Sequence, residues 1–105
     1  MNIDEKDLLP IMQLIMYSGD AKGHGMRAIQ VAKEGCFDEA DDLLRQAHDS
    51  LIQAHHVQTD MLTREAAGDT LSIGLLMIHS QDHLMNAITF LDLAREMIDL
   101  YKKLG

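Results

Sequence analysis

At 105 residues the chain is long enough for one domain with a modest core, and 9 Lys and Arg against 17 Asp and Glu give a formal charge of −8. That balance excludes nucleic acid and anionic membrane as main partners, since both reward a basic surface, and favours a protein with a basic face. A lone cysteine, Cys36, excludes an intrachain disulfide, and with no leader-like or bilayer-length apolar run the expected compartment is the cytoplasm.

Two tyrosines, two phenylalanines, one proline and eight methionines among many Leu, Ile and Ala suit long helices rather than strands, so the expected class is all-α. The pattern breaks twice. In KEGCFDEAD (33–41), Gly35 stands where a helix would end, Asp38 can cap the next one, and Asp41 falls in its first turn. AAGDT (66–70) repeats the device with Gly68 and a capping Asp69 or Thr70. Helices are therefore expected at about 4–34, 38–66 and 71–104, and turns this short favour an antiparallel up-down-up three-helix bundle.

The first helix carries Leu8, Met12, Ile15, Met26 and Ile29 at helical spacing but is weakened by Gly19, Gly23 and Gly25, and Pro10 fits only near its start or at a kink. The second is conventionally amphipathic, with Leu44, Ala47, Leu51, Ala54, Met61 and Leu62 on one stripe. For at least one of His55 and His56 the plain reading is a polar helix surface, while the closeness of His55 to the Leu51 and Leu62 face leaves an approach to the bundle interior open to it.

The third helix has two apolar stripes. At roughly 100° per residue, Ile73, Met77, Leu84, Ala87, Leu91, Ala94 and Ile98 share one side. Leu75, Ile78, Met85 and Thr89 lie roughly opposite, on a side that a three-helix bundle leaves uncovered, so self-association through the third helix is expected. Asp82 falls in the middle of this second stripe. Copies of it converging on a symmetry axis must take up protons or bind a cation, and oxygen donors suit a hard one such as Mg²⁺. His79 and His83, one turn apart, project on the shoulder between that stripe and solvent.

Taken singly, these residues leave alternatives open. His79 can be a plain surface histidine. Asp82 with the two histidines has helical spacing for an intrachain zinc site, but no cysteine lies near. Most methionines read as core filler. Asp20 reads as a solvated helix residue, Cys36 lacks the flanking cation of a reactive thiol, and His24 and His48 have no evident partners.

Together, YSGDAKG (17–23), AHHVQTDMLTREAAGD (54–69) and HSQDHLM (79–85) make the chain resemble, over nearly its whole length, the lactose/cellobiose-type enzyme IIA of the bacterial phosphoenolpyruvate-dependent sugar phosphotransferase system. The resemblance implies a homotrimer whose third helices meet about the threefold axis. It implies His79 as the phosphorylated histidine, Asp82 as a carboxylate sharing one metal ion per trimer with its two copies, and His83 as a supporting histidine. Gln58 and Gln81 stand in matching motifs. The implied activity is that of a phosphocarrier, accepting from the histidine phosphocarrier protein and passing to the cysteine of a IIB component during uptake of a β-linked disaccharide: cellobiose, another β-glucoside, chitobiose or lactose. Two other readings compete with it. One is a helical, metal-stabilised scaffold; the other is a histidine phosphotransfer domain of two-component signalling, which is usually a four-helix unit without need of a second stripe.

Overall fold

The computed structural model describes residue 3 and residues 5–105. Three helices follow one another: α1, Glu5–Lys33; α2, Phe37–Ala66; and α3, Leu75–Leu104. The expected start of the first helix at Asp4 lies outside the described residues. The fold is the all-α three-helix bundle expected, a rod 52 × 25 × 16 Å across its principal axes. Its direction alternates: Asp7 near the start of α1 pairs with Arg64 at the end of α2, and Asp41 early in α2 pairs with Lys102 at the end of α3.

Both glycine stops are of one kind. Gly35 and Gly68 adopt φ of +82° and +91°, a left-handed conformation that costs a glycine nothing. Around the first, Cys36 N–H donates to the Val31 carbonyl and Gly35 N–H to that of Ala32. Around the second, Asp69 N–H donates to Arg64 O and Gly68 N–H to Glu65 O. Both are Schellman closures that satisfy the last carbonyls of the preceding helix.

The helix starts differ from expectation. Cys36, not Asp38, is the N-cap of α2 and makes no side-chain capping bond, while Asp38 sits in the first turn. Neither Asp69 nor Thr70 caps α3, which begins four residues later than expected, at Leu75, with Gly74 as N-cap. The cause is tertiary. Asp69 is taken by Arg64 and Lys6, and Ser72 N–H is drawn to the Asp7 carboxylate, so residues 69–73 run as a connector instead of winding into helix.

The core of α1 lies only partly on its expected stripe, where Ile29 is buried and Ile15 half-buried. Leu8, Met12 and Met26 are 40%, 48% and 47% exposed, and the buried side is Ile11, Leu14, Ser18, Ala21, Gly25, Ala28, Ile29 and Ala32. Small residues let α1 approach its neighbours closely: a Cβ on Gly25 would stand 2.6 Å from Leu91 Cδ2. Helix α2 buries Ala40, Leu43, Ala47, Leu51, Ala54 and Met61, but Leu62 is exposed. The inner stripe of α3 is as expected from Met77 to Ile98, whereas Ile73 falls in the connector and is exposed.

Candidate functional site

The first turns of α3 present the polar run on three different sides. Ser80 is fully buried and donates its Oγ proton to the Met77 carbonyl at 2.7 Å, a bond within its own turn. Gln81 is half-buried and accepts from Gln58 Nε2 of α2 at 2.8 Å, which ties the two motif glutamines together. Beside them a cavity of about 360 Å³ opens between α2 and α3, lined chiefly by Met61, Leu62, Met77 and Ile78.

His79 is exposed and His83 half-buried, and their rings meet edge to face with centroids 4.4 Å apart and planes at 87°. Burial pushes the His83 pKa below its ordinary 6.5, and the nearby Lys22 and His79 act in the same direction, against a smaller upward pull from Asp82. Lys22, reaching over from α1, lies with its Nζ 3.1 Å from His83 Nδ1.

Asp82 is exposed on the outer side of α3, accepting from Asn86 Nδ2 at 3.3 Å. Around it the second stripe is bare: Leu75, Ile78 and Met85 are 80%, 56% and 54% exposed. Among the described residues of one chain, no three His, Cys, Asp or Glu side chains gather as metal ligands.

The remaining candidates stay apart from this cluster. His55 and His56 are both exposed, so the polar-surface reading holds for both and His55 does not turn inward. His48 lies with Nδ1 3.3 Å from Arg95, while Cys36 and Asp20 are exposed. Two features escaped the sequence reading. Lys22 meets a partner 61 residues away, and Asp7, 1% exposed, anchors Arg64 at 2.8 Å. Only the charge of Lys22 within the YSGDAKG run could have drawn notice to it.

The site is thus a three-helix unit that presents an exposed histidine against a half-buried one, beside an exposed apolar stripe. Residues 10–102 match the family described as PTS system, Lactose/Cellobiose specific IIA subunit, and the chain belongs to that family. Over 94 residues it is 51% identical to the PTS system galactose-specific EIIA component of Lactococcus lactis subsp. cremoris, covering 90% of this chain and 81% of that one. The crystal structure of the PTS cellobiose-specific enzyme IIA from Bacillus anthracis superposes with a TM-score of 0.90 at 49% identity, covering 91% of this chain and 88% of that one. IIA(Chitobiose) of the Escherichia coli phosphotransferase system, solved in solution as its complex with HPr, matches with a TM-score of 0.82 at 33% identity, over 96% of this chain and 98% of that one. Among the described residues no helix is long and apolar enough to cross a membrane.

Proposed function

We propose that this IIA component carries its phosphoryl group on His79, accepting it from the histidine phosphocarrier protein and handing it to the cysteine of a IIB component. The observation that carries the reading is the edge-to-face pair of an exposed His79 and a half-buried His83 on one turn of α3. A neutral imidazole is a competent acceptor near pH 7 because its ordinary pKa lies close to 6.5. In the first transfer the donor's N–P bond breaks as a lone pair of the His79 ring makes a new one, and the donor ring keeps the bonding pair. In the second, a cysteine thiolate forms the S–P bond and the His79 ring recovers its pair. The protein supplies position and charge rather than a covalent novelty.

The exposed outer stripe of α3 supports a homotrimer in which three copies of that face meet. Asp82 from each subunit would then hold one divalent cation, Mg²⁺ by the chemistry of its oxygen donors, whose charge offsets the carboxylates next to an incoming phosphoryl group of about −1.5 to −2. His83 supports His79 across the ring contact, and the Gln58–Gln81 bond holds the start of α3 to α2. The sugar does not touch this chain, so the site is a shoulder open to two proteins in turn. The three relatives named above carry the names of three different sugars. Cellobiose, another β-glucoside, chitobiose and lactose are the candidates from the sequence, and the galactose-specific relative adds galactose to them. The cytoplasm is the compartment in which such a relay operates.

Intact mass after incubation with phosphoenolpyruvate, enzyme I and the histidine phosphocarrier protein tests the reading, with wild type and His79→Ala side by side. One acid-labile phosphoryl group on wild type and none on the variant is the expected result. An unmodified wild type, with partners active on another IIA, would overturn it in favour of a metal-stabilised scaffold.

A further inference from the structure

Lys22 is in α1 and His83 in α3, and their contact is the only polar link described between the phosphoryl-site histidines and another helix. An ammonium offers three donors and no acceptor, so the nitrogen it meets must supply the lone pair. Lys22 Nζ lies 3.1 Å from His83 Nδ1, which makes Nδ1 the acceptor. In a neutral ring the proton then resides on Nε2, because the bond made by one imidazole nitrogen decides the state of the other. His79 stands edge to face against that ring, 4.4 Å away between centroids. A phosphoryl group on His79 thus has as its neighbour a ring whose remaining polar atom is a donor.

We propose that Lys22 is a positioning residue of the phosphoryl site, holding His83 Nδ1 as an acceptor so that Nε2–H, and not a lone pair, is left for the oxygens of the group on His79. The proposal rests on the phosphocarrier reading above. With the opposite tautomer, His83 would turn a lone pair toward anionic oxygens and repel what it now binds. Because Lys22 comes from a different helix, the packing of α1 on α3 sets the protonation pattern of a ring that α3 alone leaves free to choose. No covalent step is added. The lysine acts through His83 on the transfer already described.

The test uses the full chain with 15N-labelled histidine and reads two quantities. One is the pair of ring 15N shifts of His83 at alkaline pH, where imidazoles are neutral. The other is the rate at which His79 takes the phosphoryl group from the histidine phosphocarrier protein. Wild type should have a protonated Nε2 and a bare Nδ1. Lys22→Met should lose that preference and accept about tenfold more slowly, the effect of one lost bond to a charged donor, with His79 still filling to one group per chain. Lys22→Arg, which keeps a donor, should stay near wild type in both readouts. A wild-type His83 protonated on Nδ1 would overturn the proposal, as would Lys22→Met at the wild-type rate. Slow transfer in Lys22→Met with an unchanged His83 tautomer would overturn it too, assigning the lysine to partner docking. A wild type that takes up no phosphoryl group would overturn the phosphocarrier reading and this one together, whereas the other failures leave that reading standing.

Discussion

Asp7 is the residue on which the connector between α2 and α3 depends. Its carboxylate is 1% exposed, accepts from Arg64 at 2.8 Å and from Ser72 N–H at 3.1 Å, and so joins three parts of the chain. The Arg64 hydrogen bond, then that of Ser72, hold its pKa below the ordinary 3.8 against the opposing effect of burial. A carboxylate so depressed contributes stability that is fully present above pH about 4 and is lost as the pH falls through the lower folded-state value. Asp7→Ala should cost about 1–3 kcal/mol, since Ser72 N–H and one side of Arg64 lose their partner. Urea unfolding at neutral pH checks the magnitude. Repeated near pH 3, the gap between wild type and variant should narrow; an unchanged gap would mean that the carboxylate's charge is not what stabilises the connector.

At the scale of the element, α1 is decided by closeness rather than by bulk. Its buried side is built on Ala21, Gly25, Ala28 and Ala32, which let the helix lie tight on α3, where Leu91 and Phe90 fill the space over Gly25. Alanine in a helix is ordinarily favoured over glycine by about 0.5–1 kcal/mol. At Gly25 the added methyl would stand 2.6 Å from Leu91 Cδ2 and 3.0 Å from Phe90 Cε2, and Leu91 is itself 1% exposed and cannot retreat. Overpacking of this kind costs about 1–3 kcal/mol, so the clash outweighs the helical gain. Gly19, with nothing within 4 Å of its would-be Cβ, has no such cost. Thermal melts should therefore place Gly25→Ala below wild type and Gly19→Ala at or above it. A stabilised Gly25→Ala would mean that α1 can shift away from α3 without loss.

For the whole molecule, the exposed stripe of Leu75, Ile78 and Met85 around Asp82 is the feature a single chain leaves unexplained. In the proposed trimer, Asp82→Leu replaces three converging carboxylates by apolar groups, a change that is often neutral or stabilising by about 1–4 kcal/mol. Sedimentation should read a trimer for this variant, unaffected by a chelator, while chelation should loosen the wild-type assembly. Monomers of Asp82→Leu would count against placing the carboxylate on the axis.

Periodicity and glycine placement alone determined that the chain is helical, that it has three helices, and that the first two stop at Gly35 and Gly68, because these depend on local backbone chemistry. The inner stripe of α3 was legible for the same reason, its large side chains repeating at the helical period from Met77 to Ile98. So was the adjacency of His79 and His83, one turn apart on a single helix, whose rings meet with centroids 4.4 Å apart. Where α3 begins was not legible, since its start is set by Asp7 and Arg64 from other helices acting on residues 69–72. Of the buried side of α1 only part was legible, Ile29 among it, because the small Ala21, Ala28 and Ala32 mark a face less strongly than the exposed Met12 and Met26. Lys22 belongs with these. Only tertiary packing, which brings α1 across α3, puts its ammonium on the ring of His83.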